Sequence, residues 1–378
     1  MTIIDRYLLT LFVRTLVICS ISLFGLYVVA DAFNNLDEFI SYGKSRSGGV
    51  AMVLVDYYSP RALWFFDKVA GLLAMASVIF SITILKKSLE LTALMAAGIS
   101  PARVVTPLVV FAAMIAGLGV ANREFGLPSV RDKLTRNAQD WQGSRSRKCT
   151  PRYDLRTDVL LSGTGTIAEG KRITEPQFRL PPEMAAWGRQ IAAVEARHLA
   201  ANDEHPAGYL LKQVSQPSGL HLIASHTLDG DKVLFSPSDT PWLASGEVFV
   251  ASMVPFEQLS VGGSYRQYLS SYEIITGLAN RTLEPGADLW VTLHSRPLAP
   301  LLDVSLVLLC LPLVLGRGSR NIFLAAGLCA LVAAAMQFVV LTCHGLGSNY
   351  LLDPLIAAWT PLVLFGPLAY ALARPQWD

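Results

Sequence analysis

Six long apolar segments, three on either side of a polar middle, constrain what this chain can fold into. They span roughly residues 8–32, 63–85, 104–121, 298–315, 322–343 and 354–373. A helix that crosses a bilayer needs about 20 predominantly apolar residues. The sequence therefore predicts an α-helical membrane protein with six transmembrane helices in a 3+3 arrangement.

The distribution of charge excludes several classes of protein. Charged residues make up 16% of the 378 residues, and 37 of the 60 lie between Arg123 and Asp288. Roughly a quarter of a soluble domain is charged, so the two ends do not resemble a soluble enzyme or a disordered chain. A net charge of +2 is too small to indicate a nucleic-acid partner.

The first segment is too long for a cleaved signal peptide, and no small-residue cleavage site follows it. Orientation follows from the basic residues of the short loops, which are denser on the cytoplasmic side. One side carries Arg6, Lys86, Lys87, Arg103, Arg317, Arg320 and Arg374, whereas the other carries Lys44, Arg46 and Arg61. We therefore expect both termini in the cytoplasm and the long polar segment on the outer side.

Residues 122–295 form one insertion between the third and fourth spans, and its pattern is mostly β. Short apolar or alternating runs separated by turn residues predict strands at 157–161, 190–200, 209–214, 221–225, 232–235 and 247–252. A sandwich, a jelly roll and an open barrel all fit this spacing. Residues 127–141 and 265–279 have helical periodicity and flank the strands.

No motif predicts a catalytic residue, a cofactor or a metal site. Gly43-Lys44-Ser45 resembles the end of a phosphate-binding loop, but the first glycine would fall at Glu38. No HExxH, GxSxG or CxxC motif occurs, and the six histidines form no zinc-like helical pair. An enzyme that acts alone is therefore disfavoured.

Charged residues near the spans offer two interpretations. Asp31, Asp67, Lys68 and Asp303 lie within or at the edges of apolar segments, where a charge is costly. They either extend to the interface, or pair with a neighbouring helix and line a polar cavity. Residues 123–156 have a net charge of +5 and either bind anionic head groups or form a solvated helix with interfacial anchors.

Residues 86–101 predict a short amphipathic helix between the second and third spans, with Leu91, Leu94 and Met95 on one side. Gly98 ends this helix and Pro101 begins the next element. Such a helix either lies in the membrane interface or docks in a groove of a partner.

Five stretches together make the chain similar to the LptF/LptG (YjgP/YjgQ) family, the permease subunits of the lipopolysaccharide-export ABC transporter. Their order and spacing match over nearly the whole chain. They are Asp5-Arg6-Tyr7, the run Glu90 to Ser100, Asn122-Arg123-Glu124-Phe125 with Pro128, Leu293 to Pro300 leading into Leu311-Pro312-Leu313, and Leu346-Gly347 through Asp353-Pro354-Leu355 to Pro361.

The resemblance implies transmembrane regions at 1–121 and 296–378, a periplasmic jellyroll-like domain at 122–295, and a coupling helix at about 87–100. Implied partners are a cytoplasmic ABC ATPase dimer, a second LptF/LptG-type permease, periplasmic jellyroll bridge proteins and lipopolysaccharide. ATPase contact is expected at Glu90, Leu91, Leu94 and Gly98, and lipid head-group contact at Arg123, Arg131 and Lys44. The resemblance places the chain in the inner membrane of a Gram-negative bacterium, without an ATPase site of its own.

Two other functions remain open from the residues alone. The chain is either a permease for another envelope lipid or lipoprotein, or a non-transporting scaffold whose outer domain recruits partners. A secondary transporter is disfavoured, because the two halves contain no matched pair of Gly/Pro-broken spans with charges.

Overall fold

The computed structural model describes residues 3–44, 48–140, 143–228, 230–280, 283, 285–316 and 322–374. Arg46, Arg317 and Arg320, which contribute to the expected orientation, and Trp141, at the end of a predicted helix, lie outside the described residues. The chain divides into two compact units, Met1–Pro128 with Pro285–Asp378 and Ser129–Glu284.

The first unit is a helical bundle and contains the six helices that are long and apolar enough to cross a membrane. Its helices are α1 (Ile3–Asn34), α2 (Leu36–Lys44), α3 (Gly49–Lys87), α4 (Glu90–Ala96), α5 (Pro101–Ala121), α9 (Ala287–Leu315), α10 (Ile322–Ser348) and α11 (Pro354–Ala373). The predicted six spans in a 3+3 arrangement are thus confirmed.

Side-chain burial along these helices shows which faces pack together. Helix α3 packs against α1, α5 and α9, and α9 packs against α10 and α11. Leu8, Phe12, Leu85, Leu108 and Leu306 are among the fully buried side chains of the shared core. By contrast, the most apolar window of α1 is not buried within this chain. That surface therefore faces lipid or another protein.

A π-helical turn, Asn122–Gly126, follows α5 and leads into α6 (Leu127–Leu134). One extra residue per turn rotates the side chains that follow, and such turns are frequent at functional sites. Because six spans alternate in direction, the loop containing α4 lies on the same side as both termini. We call this the terminal side, and the side where α1 ends and α3 begins the insertion side.

The second unit is an antiparallel β-sheet domain inserted between the third and fourth spans. Its strands are β1 (Arg147–Lys148), β2 (Arg152–Asp154), β3 (Val159–Leu161), β4 (Gly165–Ile167), β5 (Arg172–Thr174), β6 (Gln177–Arg179), β7 (Gln190–Leu199), β8 (Gly208–Gln216), β9 (His226–Leu228), β10 (Asp231–Phe235) and β11 (Val248–Ala251). They pair in the order β1-β4-β5-β7-β8-β11-β10-β9, and β2, β3 and β6 form a branch that joins β7.

The two longest strands hold the domain together. Strands β7 and β8 pair over most of their length, with His198 opposite Tyr209. Tyr209, Phe178 and Trp187 are fully buried, and the Tyr209 hydroxyl donates to the Val254 carbonyl at 2.8 Å. Burial of large aromatic side chains supplies much of the stabilising apolar area of a domain this size.

Three predicted elements differ from the structure. The helix predicted at 127–141 ends at Leu134 and is followed by a 3₁₀ turn at Ala138–Asp140. Residues 221–225 are not a strand, because Gly219 (φ +77°) begins a 3₁₀ turn at Leu220–Leu222 and the neighbouring strand starts at His226. The helix predicted at 265–279 is divided into a 3₁₀ turn, Gly262–Tyr268, and α8 (Ser271–Ala279). Ser270 caps α8 and exchanges hydrogen bonds with Glu273, an arrangement that fixes where a helix begins. Between these elements and β11 lies α7 (Phe256–Val261).

Candidate functional site

The loop between α3 and α5 holds α4 in a defined position on the terminal side. Helix α3 ends at Lys87, and Leu89 adopts a left-handed conformation (φ +60°) that redirects the chain. After α4, the Gly98 amide donates to the Met95 carbonyl and the Ile99 amide to the Leu94 carbonyl, both at 3.0 Å. Gly98 has φ +82°, which favours glycine, so the expected C-terminal stop is a Schellman-type cap.

Polar contacts tie the surroundings of α4 to three other helices. The Tyr7 hydroxyl of α1 donates to Glu90 Oε2 at 2.6 Å. Arg103 of α5 lies 2.9 Å from Asp5 of α1. Lys86 Nζ donates to the Val314 carbonyl of α9 at 2.7 Å. Helix α4 is thus bound directly to α1, and the residues around it join α5 to α1 and α3 to α9.

The predicted coupling residues have different environments. Leu91 is buried in the bundle core and Leu94 packs partly against it, whereas the Glu90 carboxylate accepts the Tyr7 hydrogen bond. The outward surface instead carries Leu89 (68% exposed) and Met95 (48% exposed). We define the α4 surface as Leu89, Thr92, Ala93, Met95 and Ala96, all of which are exposed. Helical periodicity predicts Met95 on the same side as Leu91, but Leu91 is buried and Met95 is exposed.

The two predicted head-group arginines are each paired with a carboxylate. Arg123 Nε lies 2.7 Å from Asp67 Oδ1, whose side chain is only 4% exposed. Arg131 of α6 lies 2.5 Å from Glu273 of α8, and its guanidinium stacks over the Tyr265 ring at 5.4 Å. Lys44 is exposed at the end of α2. Among the three, Lys44 has the most accessible charge.

A polar cavity of about 260 Å³ lies among α3, the π-helical turn, α9 and α10. We call it the charged cavity, and its polar lining consists of Asp67, Lys68, Arg123, Ser295, Asp303, Gln337 and His344. Asp31, outside this cavity, accepts a 2.7 Å hydrogen bond from the Tyr58 hydroxyl. For Asp31, Asp67 and Asp303, the structure thus favours pairing between helices and a cavity lining over extension to the interface.

A cluster of charged residues in the β-sheet domain surrounds the largely buried carboxylate of Glu257. Lys171 Nζ lies 2.7 Å from Glu257 Oε1. Burial would raise the pKa of the Glu257 carboxyl, but hydrogen bonds from Lys171 and the backbone, with the charges of Lys171 and His198, hold that pKa below its ordinary value. Burial and the charge of Lys171 lower the pKa of His198. We interpret this cluster as one that stabilises the β-sheet domain.

The whole chain, compared with known families, matches one family model over residues 6–147 and 200–375. That model describes the lipopolysaccharide export system permease LptF/LptG. The chain belongs to the LptF/LptG family. The suspected resemblance is confirmed, and with it a multi-pass membrane protein of a permease family that exports lipopolysaccharide.

The match to the LptF/LptG family model leaves out one internal segment, residues 148–199, and a few residues at each end. This internal segment contains β2 to β7, so the match does not include this part of the β-sheet domain, whereas α4 and the charged cavity lie in matched residues. Comparison with curated proteins finds no match. Among the described residues, no three His, Cys, Asp or Glu side chains converge to hold a metal ion.

Proposed function

We propose that this chain is the permease subunit of an ATP-driven exporter that extracts lipopolysaccharide from the inner membrane and passes it to a periplasmic bridge. In this proposal both termini are cytoplasmic and the β-sheet domain is periplasmic and jellyroll-like. A second LptF/LptG-type permease packs beside it, and a cytoplasmic ABC ATPase dimer binds α4. Membership of the family supports each of these assignments.

The observation that carries the proposal is the α4 surface. It presents exposed apolar side chains on the terminal side, and the residues beneath it are tied to three membrane helices. Each CH₂ group moved into water costs about 0.8 kcal/mol, so extraction of a lipid with several acyl chains needs an external source of energy. A docking surface that is mechanically connected to the bundle can deliver that energy from a separate ATPase.

The exposed surface of α1 supports the assignment of a second permease. Ile21, Leu26 and Phe33 are 68%, 69% and 75% exposed within this chain. In a dimer of permeases, such a surface can border a cavity into which lipid enters from the side. Lys44, Arg123 and Arg131 are each candidates for contact with the lipid head group, through the attraction of cations for phosphate.

The test is purification from native membranes in mild detergent, followed by mass spectrometry of the proteins and lipids recovered. Met95→Arg introduces a charge into the α4 surface, and its matched control is Met253→Arg in the β-sheet domain, where Met253 is 46% exposed. Tyr7→Phe removes the hydrogen bond to Glu90 and leaves the α4 surface unchanged.

We expect the wild type to recover an ATPase, a second six-span permease and lipopolysaccharide. Met95→Arg should lower ATPase recovery about tenfold, as expected for a disrupted interface anchor that contributes about 1.4 kcal/mol or more. Met253→Arg and Tyr7→Phe should retain the ATPase. Recovery of a different lipid would indicate another envelope lipid as substrate, and recovery of no ATPase by the folded wild type would favour a scaffold.

A further inference from the structure

The charged cavity contains acidic and basic side chains within the depth of the membrane, and only some of these side chains have an ion-pair partner. Asp67 is held by Arg123 at 2.7 Å and lies 3.8 Å from Lys68 Nζ. Asp303 lines the same cavity and lies near enough to feel the charges of Arg123 and Asp67. Within the described part of the chain, however, Asp303 has no hydrogen-bond or ion-pair partner.

The backbone around Asp303 is shaped to leave room for this carboxylate. Gly71 of α3 faces it, and a Cβ atom added at Gly71 would overlap the Asp303 side chain. Any other residue at position 71 would displace the carboxylate from the cavity wall. The close approach of α3 and α9 at this point therefore depends on glycine.

The cavity lies within the insertion-side leaflet rather than at the surface. At about 1.5 Å per helical residue, Gly71 is about 24 Å from the end of α3 at Lys87. Asp303 is about 18 Å from the end of α9 at Leu315. In a hydrocarbon layer about 30 Å thick, both positions lie beyond the midplane as measured from the terminal side.

A carboxylate without a partner at this depth is costly, so it indicates a ligand that carries hydrogen-bond donors and positive charge. Lys68 is 52% exposed and makes only the long contact to Asp67 within the described residues, so its ammonium can bind a negative group. A purely anionic ligand would meet two carboxylates, and a purely cationic one would meet Arg123 and Lys68. The complementary ligand carries an ammonium and a phosphate side by side.

We propose that the charged cavity binds the aminoethyl phosphate group of a zwitterionic lipid, with the ammonium on Asp303 and the phosphate near Lys68 and Arg123. The cavity volume of about 260 Å³ is several times the roughly 30 Å³ that one water molecule occupies. It therefore accommodates a group of about eight non-hydrogen atoms. This inference does not depend on the transport role. The group can come from a bilayer phospholipid or from an exported lipid that carries the same substituent.

The test is native mass spectrometry of the full chain in micelles with three dioleoyl phospholipids at equal concentration. Phosphatidylethanolamine offers N–H donors, phosphatidylcholine has the same charges without N–H donors, and phosphatidylglycerol lacks the ammonium. A charge-assisted hydrogen bond is worth about a factor of ten in affinity. We expect phosphatidylethanolamine to be retained about tenfold over each of the other two lipids.

Asp303→Asn should reduce this preference to about one, because the amide keeps the shape and loses the charge. The matched control is Asp31→Asn, since Asp31 is a carboxylate of the same bundle that is satisfied by Tyr58, and it should keep the preference. Size-exclusion and thermal unfolding profiles that match those of the wild type establish that the variants fold. The comparison of the three lipids on the wild type tests the proposal without any variant.

Equal retention of phosphatidylethanolamine and phosphatidylcholine would overturn the proposal, as would preference for phosphatidylglycerol or a preference that survives in Asp303→Asn. Competition with purified lipopolysaccharide, with and without an aminoethyl phosphate substituent, distinguishes the two sources. Displacement by the substituted form alone assigns the site to the exported lipid, and no displacement assigns it to a bilayer phospholipid.

Discussion

Substitutions of the charged residues in the charged cavity should have unequal effects, because Arg123 is paired with Asp67 and its charge also acts on Asp303. Arg123→Gln leaves Asp67, which is 4% exposed, without its 2.7 Å partner and close to the carboxylate of Asp303. Removal of one partner from a buried ion pair costs about 3–5 kcal/mol. Since the Arg123 side chain is 25% exposed and the cavity is polar, we expect about 2–3 kcal/mol.

Asp67→Asn should lower the free energy of unfolding by less than Arg123→Gln does. Its removal frees Arg123 to turn toward Asp303, which lines the same cavity and has no other partner among the described residues. The lost charge-assisted hydrogen bond, worth about 1.5–3 kcal/mol, is then partly replaced, and we expect a net cost of about 1 kcal/mol. The double variant Asp67→Asn/Asp303→Asn removes both acceptors and should exceed the sum of its single variants by about 1–2 kcal/mol.

The assay is reversible unfolding in mixed micelles, followed by tryptophan fluorescence, which yields the free energy of unfolding of each variant. We expect Arg123→Gln to lower the free energy of unfolding more than Asp67→Asn does. The effect of the double variant should exceed the sum of the two single effects. If Asp67→Asn costs as much as Arg123→Gln and the double variant is additive, Arg123 does not turn toward Asp303 when Asp67 is removed, and the reasoning about the cavity is refuted.

Three further predictions concern other parts of the chain. Because the folded-state pKa of Glu257 is depressed, its pairing with Lys171 stabilises the domain above the ordinary carboxyl value of 4.5, and this stabilisation is lost as pH falls below that value. The protection factors of the β7 amides, which correct the exchange rates for the intrinsic effect of pH, should therefore fall on acidification, and Lys171→Met should abolish that dependence. Asp353→Ala removes the cap on the Leu355 amide and should destabilise the start of α11 by about 1 kcal/mol, read from local exchange. Trp187→Ala in the β-sheet core, where Trp187 is fully buried, should cost about 3–5 kcal/mol by thermal unfolding of the full chain, and unchanged stability would contradict the packing described.

Much of the bundle is predictable because one physical rule determines it. A bilayer of fixed thickness requires apolar helices of about 20 residues, so the spans can be predicted from composition alone. The full length of these helices cannot be predicted in this way, because α3 begins at Gly49 and α9 at Ala287, well before the starts of the predicted spans. These extensions are stabilised by contacts within the protein and carry polar residues that the apolar pattern does not include.

The β-sheet domain was less predictable for a local reason. The long strands β7 and β8 coincide with predicted runs, whereas β2 to β6 are three residues each. Three residues are too few to show an alternation, so long-range pairing decides their conformation. The apolar run at 221–225 satisfied the strand pattern, but the turn at Gly219 removed it from the sheet.

The sites depended most on information that a sequence does not contain. Arg123 and Asp67 are 56 positions apart, and nothing local indicates that the arginine is neutralised. The position of α4 depends on the left-handed conformation of Leu89, which a non-glycine residue rarely adopts, and the exposure of Met95 beside the buried Leu91 is not apparent from the helical pattern. A basic residue and an amphipathic helix could be predicted, but their partners and exposed faces could not.

The most direct test of the account is ATP-dependent lipid release from reconstituted vesicles. The chain is combined with the ATPase and second permease recovered from its membrane, and release of labelled lipopolysaccharide to a soluble acceptor is measured with and without ATP. The account predicts release that requires ATP and falls about tenfold or more in Met95→Arg, with Met253→Arg unaffected. Release that is independent of ATP, or equal in Met95→Arg and the wild type, would contradict coupling through α4.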